Sequence, residues 1–352
     1  MGMESNAAVT QAAVASAAPS IETLDAMLDV TYTWGYQETR AKLRDLYDKA
    51  VYGQWIAADV LPWDTDVDLE KPMGPEQLMP LFGSDVYLKM TEKERRQVNL
   101  ETFSWTLSQF LHGEQGALLA TAQLVDSVQD LDSKLYAASQ VADEARHVDV
   151  YNKYVHGKVG FSYPCNPHLK TLLDMILKDS RWDMKFLGMQ IMVEGLALAA
   201  FGMIRNNTEE PLLKALTAYV MGDEARHVAF GVLSLRDYYR EQPESVRRER
   251  EDFVYEAARL MRDRFLFQEV WEKMGLPAKQ CMDIALVNQG QVMFRQMLFA
   301  KIVPAIKKMD LLSDRQRQRF AELGILQFEH WTDPFADHEK ESPSGAVSAR
   351  LS

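Results

Sequence analysis

The sequence predicts an all-α protein, a four-helix bundle with additional flanking helices. Three observations carry this. Long stretches repeat their apolar residues at helical spacing, and almost none alternate as strands do. Two pairs of these stretches are each joined by a few residues, while a long connection separates the pairs. Finally, the segment Asp143-Glu144-Ala145-Arg146-His147-Val148 recurs unchanged as Asp223-Glu224-Ala225-Arg226-His227-Val228, an offset of 80 residues that marks a duplicated helix hairpin.

The elements follow in order. Residues 1–20 are small and polar, without the basic and long apolar regions of a signal peptide, and are expected to form a flexible tail. A helix is expected from about Ile21 to Val60, followed by a loop rich in Pro, Gly and acidic residues up to Met90. Residues 21–90 should pack on the bundle, which spans 91–242. Its first helix starts with a capping box, Thr91 and Glu94, and runs to about Val128. The second runs from near Asp132 to near Gly157. A linker, Lys158 to His168, leads into a short helix. The third bundle helix covers about Arg181 to Arg205. The fourth starts at Thr208, with Pro211 in its first turn where proline is tolerated, and ends near Gln242. Residues 243–331 should add two or three helices to the same domain, and residues 332–352 read as a second flexible tail.

Composition narrows the function. The net charge is −12 with no basic block, which speaks against a nucleic-acid partner. Cys165 and Cys281 stand alone, so no rubredoxin-type site, zinc ribbon or thioredoxin motif is encoded. The lack of a disulfide framework fits the cytoplasm.

The repeat carries the chemistry. Each half holds one lone Glu, Glu114 or Glu194, and a Glu-x-x-His thirty residues later: Glu144 with His147, Glu224 with His227. Glu114 is the only formal charge from Thr102 to Val125, and Glu194 the only one from Phe186 to Ile204. Such carboxylates are costly to bury unpaired. At about 1.5 Å of rise per residue, Glu114 lies roughly 20 Å before its hairpin turn and Glu144 roughly 18 Å after it, so they meet at one depth. The second hairpin gives the same match. Four carboxylates balance two divalent cations, and oxygen with imidazole ligands suits iron or manganese. The six residues are therefore the expected metal ligands, holding two irons or an Mn/Fe pair. Uncharged runs of this length also raise a membrane span, but a central Glu is expensive in lipid.

Metal-bound His normally donates its other N–H to a carboxylate. Asp143 and Asp223 precede a ligand by one residue and point to a neighbouring helix. Crossed pairs are expected, Asp223 with His147 and Asp143 with His227, compensated by Arg146 and Arg226.

These residues resemble the ferritin-like di-iron carboxylate superfamily. The D-E-x-R-H form is similar to bacterial multicomponent monooxygenase hydroxylases and to the ribonucleotide reductase small subunit, over about Thr91 to Gln242. The resemblance implies a non-haem di-iron oxygenase or oxidase, a small organic substrate, O2, and an external electron donor or reductase; self-association into a homodimer is left open. Three departures separate the chain from subfamilies: Leu198 replaces the Thr of multicomponent hydroxylases, Val220 the added His of p-aminobenzoate N-oxygenases, and Met189 the cross-linking Tyr of reductase-like ligand-binding oxidases. None of the three is expected to fit closely.

The leading expectation is a monooxygenase, with Glu114 and Glu194 at the reacting centre and Leu198, Ala199 and Phe201 lining a pocket. The alternatives are a radical-generating subunit using Tyr151, which lies one turn past His147 where the reductase keeps its radical tyrosine, and an iron-storage protein. Tyr151 otherwise reads as a packing residue. His112 should face away from the site. Arg247 to Arg264 reads as a solvated helix face, with docking of a reductase as the alternative.

Overall fold

The computed structural model describes residues 21–331, and the two expected tails lie outside them. All regular structure among the described residues is helical. The elements are α1 (Ala41–Tyr52), two short turns α2 (Ala57–Val60) and α3 (Asp85–Leu88), α4 (Glu92–Ser127), α5 (Leu131–Tyr154), α6 (Pro167–Lys178), α7 (Trp182–Phe186), α8 (Glu194–Asn207), α9 (Pro211–Arg240), α10 (Glu244–Asp263), α11 (Gln268–Lys273), α12 (Ala278–Val287), α13 (Gln289–Met297), α14 (Ile302–Lys308) and α15 (Asp314–Glu322). A π-helical stretch, Leu187–Val193, joins α7 to α8 as one continuous rod.

The four bundle helices are α4, α5, α7–α8 and α9, paired as α4 with α5 and α8 with α9. Local chemistry sets their ends. Thr91 and Glu94 form the expected capping box. Asp130 caps α5 by accepting from Ser133 N at 2.8 Å. The fourth helix starts three residues later than expected, because Glu210 caps it, accepting from Leu212 N and Leu213 N, with Pro211 at the first position. A π turn, Val155–Val159, carries α5 to Gly160, whose φ of +90° suits glycine.

Two expectations fail. Residues 21–40 are not helical, so the long first helix shrinks to α1 and α2. The run Val30-Thr31-Tyr32-Thr33-Trp34-Gly35 is β-branched, aromatic and Gly-containing, a poor helix former. Tertiary partners take its backbone instead: Thr31 N donates to Asp126 O at 2.9 Å, and Thr39 N and Arg40 N both donate to Asp132 Oδ2. Beyond α9 the described residues form six helices, α10 to α15, not two or three.

The rod Trp182–Asn207 is long and apolar enough to cross a membrane, but most of its apolar window is buried inside the protein. Its apolar character comes from lying against α9, α10 and α14. Gly231 of α9 permits one such approach: a Cβ there would lie 2.8 Å from Gln190 Cβ.

Candidate metal centre

All six expected ligands lie in the bundle interior, and Glu114, the most exposed, is 5% accessible. They fall into two groups. Glu114, Glu144, His147 and Glu224 converge on one point, and Glu144, Glu194 and His227 on another. His147 Nδ1 lies 3.3 Å from Glu114 Oε2, 3.4 Å from Glu144 Oε2 and 3.2 Å from Glu224 Oε1. His227 Nδ1 lies 3.1 Å from Glu144 Oε1 and 3.4 Å from Glu224 Oε2. Glu144 and Glu224 thus each face both imidazoles, one oxygen to each side, while Glu114 and Glu194 stand at opposite ends.

The fit to cations rests on what these atoms fail to do. Glu144 Oε2, Glu194 Oε2, Glu224 Oε2 and His227 Nδ1 are buried without a hydrogen-bond partner. Buried polar atoms are normally paired, so electron-pair donors converging without protons between them suit metal ions. Electrostatics agree. Burial, and then Glu224, push the Glu114 carboxyl up to about 8. Burial, and then Glu144 and Glu224, push Glu194 well above the carboxylate range. Burial opposes charge on both imidazoles, but hydrogen bonds to Asp223 and Glu114 at His147, and the charges of Glu144 and Glu224 at His227, raise them well above their usual value. Protons are thus drawn into the cluster to offset the carboxylates, and bound cations would take their place.

Behind the imidazoles the crossed pairs appear. His147 Nε2 lies 3.2 Å from Asp223 Oδ2, and His227 Nε2 lies 3.3 Å from Asp143 Oδ2. Arg146 Nη2 donates to Asp143 at 2.5 Å and to Asp223 at 3.0 Å. Arg226 donates to Asp223 and approaches Asp143 at 3.6 Å. Burial raises Asp223, but His147 and the two arginines outweigh it and hold it far below the usual range.

Four residues around the cluster had no assigned role in the sequence. Trp55 Nε1 donates to Asp223 at 2.8 Å, and Gln54 Nε2 to Asp143 at 2.7 Å, completing each aspartate from the segment after α1. Gln140 Nε2 donates to both Glu144 Oε1 and Glu194 Oε1 at 3.0 Å. It sits one turn before Glu144, a spacing that places it on the ligand face. Tyr136, a further turn back, is fully buried with an unpartnered hydroxyl near His227.

A narrow cavity of about 20 Å³ reaches the cluster at Glu114, Glu194 and Glu224, walled by Gln109, Phe110, Gly113, Ala117, Val193, Ala197, Phe201 and Arg264. Of the expected pocket residues only Phe201 lines it. Leu198 and Ala199 do not; Ala199 lies about 140° around the helix from Glu194, whereas Ala197 and Phe201 share its side. Tyr151 is fully buried, its ring 5.6 Å from Phe201 and 6.1 Å from Phe110, its hydroxyl unpartnered. Burial, and then Glu114, push its phenol well above the usual value. His112 faces away, 2.8 Å from Tyr163 O. The arginine-rich stretch is only partly solvated: Arg250 is buried on Asp183 at 2.9 Å, and Arg264 is buried in the cavity wall.

Four helices closing on a buried cluster of four glutamates and two histidines, with carboxylate-backed imidazoles, define a ferritin-like di-metal carboxylate protein. The model of the family "P-aminobenzoate N-oxygenase AurF" matches residues 36–310, and the chain belongs to that family. It is an O2-dependent di-metal oxygenase or oxidase with a two-iron cofactor. Val220, which had argued against this family, does not exclude it. Among solved structures, an R2-like ligand-binding oxidase with aerobically reconstituted metal cofactor after photoconversion is 17% identical, with a TM-score of 0.47, covering 76% of this chain and 93% of that one. A mutant of such an oxidase with aerobically reconstituted Mn/Fe cofactor is 16% identical, with a TM-score of 0.48 and the same coverage. No functionally curated protein matches.

Proposed function

We propose that this protein is a monooxygenase acting on a small organic amine, with an aromatic amine of the p-aminobenzoate type as the model substrate. The single observation that carries the metal centre is the convergence of buried, hydrogen-bond-free carboxylate oxygens on two imidazoles. In this reading Glu114 and His147 would hold one iron and Glu194 and His227 the other, with Glu144 and Glu224, which face both imidazoles, available to either. An Mn/Fe pair would use the same donors. The family supports oxygen transfer.

When bound, the reduced metal pair supplies the electrons and Lewis acidity for O2 chemistry. The chain's own residues do the rest. Asp143 and Asp223 fix the imidazoles by accepting from their outer nitrogens. Arg146, Arg226, Gln54 and Trp55 hold those aspartates in place by donating to them or to one another. Gln140 restrains Glu144 and Glu194 through its amide. Phe110 and Phe201, with Ala117 and Ala197, make an apolar approach that excludes water beside Glu114 and Glu194. Tyr151 stacks behind that wall, and its phenol has no hydrogen-bond acceptor among the described residues, which favours a packing role over a radical one. An external donor supplies the electrons, and two free cysteines support a reducing, cytoplasmic setting.

The test is anaerobic loading with ferrous iron, then isotopically labelled O2, an electron donor and para-aminobenzoate. The expected result is about two irons per chain and an N-oxygenated product carrying the label. Binding near one iron, or retention of zinc over iron in competition, overturns the di-iron assignment; label-free product overturns oxygen transfer.

A further inference from the structure

A second cleft lies away from the glutamates, between α10, α13 and the turn that follows α15. It encloses about 150 Å³ and shares no lining residue with the cavity at Glu114, Glu194 and Glu224. Ala258, Leu286, Val292, Phe299, Leu323 and Ile325 make its apolar wall, and Arg262, Arg295 and Gln296 are its polar members. Gly324 closes the turn with φ +70°, and its missing side chain leaves room for the Gln296 amide, whose Nε2 would stand 3.0 Å from a Cβ there.

Two guanidiniums therefore face one small apolar space. Arg295 is 5% exposed. Its Nη1 donates to Ala285 O at 2.9 Å and its Nη2 to Leu286 O at 2.6 Å, which satisfies the last turn of α12. Those carbonyls take two of a guanidinium's five donors, and a helix C-terminus carries only about half a negative charge. No carboxylate forms an ion pair with Arg295 among the described residues. Arg262, half-buried at the mouth, donates from Nε to Asp263 Oδ1 at 2.7 Å. Burial, and then the charge of Arg262, hold the Arg295 guanidinium below its usual value, and Asp263 offsets them only in part. Two cations and one carboxylate leave one positive charge against an apolar wall. Buried charge without a counter-ion is costly, and a monoanion in the cleft would relieve that cost.

From this we propose that the cleft is a second ligand site, which takes a small apolar monocarboxylate, its oxygens on Arg262 and Arg295 and its body on Phe299, Leu323 and Ile325. Size and charge choose the class. An apolar cavity of this volume accommodates a benzene ring, so the body is an aryl group or a branched chain of about six carbons. A planar guanidinium matches a carboxylate bidentately. A phosphate dianion brings more charge than the cleft offsets and nothing to cover its apolar wall. Occupancy of this site does not require the metal ions, so it stands apart from the oxygenase reading.

The experiment follows the Ile325 δ1-methyl resonance of the full chain, assigned through Ile325→Leu, during titration with benzoate, benzamide and inorganic phosphate. It is run on anaerobic iron-loaded protein and on metal-free protein. Benzoate should shift the resonance and bind about tenfold or more tightly than benzamide, equally in both metal states, and phosphate should leave the resonance in place. Arg262→Gln, at the mouth, should remove most of the preference for benzoate while benzamide affinity is kept. Ala258→Leu, which fills the cleft, should abolish the shift with either ligand; the three-ligand comparison in wild type and in Arg262→Gln decides the matter if that variant does not fold. An Ile325 resonance unmoved by benzoate, equal binding of benzamide, an equal shift with phosphate, or a preference that survives Arg262→Gln overturns the proposal. So does a benzoate shift seen only with iron, which would place the ligand at the glutamates.

Discussion

The α4–α5 hairpin and the α8–α9 hairpin present the same Glu, Glu-x-x-His set to the centre, but they are built differently around it. Glu114 rides on the 36-residue α-helix α4, whereas Glu194 follows seven residues of π-helix. At equivalent places, 80 residues apart, Gln140 faces Val220 in the comparison, Tyr151 faces Gly231, and Trp105 faces Lys185. The first hairpin supplies large side chains and the amide that touches Glu194. The second gives up volume at Gly231, where its helices come close. The difference teaches that symmetry extends as far as the proposed metal site would require, namely the candidate ligands and the aspartates behind them. Beyond that shell the halves serve different sides of one reaction volume.

The sharpest way to break this comparison is to separate shared from terminal ligands. Glu144→Ala or Glu224→Ala removes a carboxylate that faces both imidazoles. Either should lower iron from about two to well under one per chain and abolish product. Glu114→Ala and Glu194→Ala should each retain about one. Elemental analysis after anaerobic loading reads this, and equal loss from all four substitutions would deny the sharing.

The next effect tests the symmetry itself. Asp143→Asn and Asp223→Asn remove the charge behind His227 and His147 respectively. Each should weaken metal affinity by about 10- to 100-fold, and by similar factors, since both contacts are alike in length. Competition against a coloured chelator measures it. Wild-type affinity in either variant would remove that aspartate from the metal site.

Much of this centre was legible because its information is local and periodic. A Glu-x-x-His shares one helix face, and thirty residues across a tight hairpin restore the same depth, so the convergence of the six candidate ligands and the crossed aspartates follows from spacing. Gln140 was within reach of the same logic, one turn before Glu144. Gln54 and Trp55 were not, because they sit in a break between α1 and α2, where one continuous helix was expected. The π stretch before Glu194 is invisible to a 3.6-residue period, and the pocket reading shifted with it from Leu198 and Ala199 to Val193 and Ala197. Arg264 was hidden in a polar, arginine-rich run whose burial only the packing of the later helices creates.

Gly231 offers a stability test of the compact half. A Cβ there would stand 2.8 Å from Gln190 Cβ and 3.0 Å from Ile191 Cδ1, both on the π stretch. Gly231→Ala should therefore cost about 1–3 kcal/mol through overpacking, despite the higher helix propensity of Ala. Urea unfolding monitored by circular dichroism checks it; a neutral or stabilising result would mean that the π stretch yields easily, and that the close approach is not what selects glycine.

Its partner position, Tyr151, should give the smallest effect. The ring is fully buried between Phe110 and Phe201, so Tyr151→Phe keeps the packing area and shape. What it removes is a hydroxyl that finds no hydrogen-bond partner, whose burial opposes folding. Stability should be unchanged or rise by up to about 1 kcal/mol, in contrast to the loss at Gly231. Product formation should also persist, because a phenol without an acceptor has nowhere to send its proton when oxidised. The measurement is paired: the urea midpoint of Tyr151→Phe, and turnover of the iron-loaded variant with para-aminobenzoate. A variant that folds as well as wild type yet forms no product would assign the phenol a redox role, and the comparison between the halves would then run through Tyr151 instead of through the pocket.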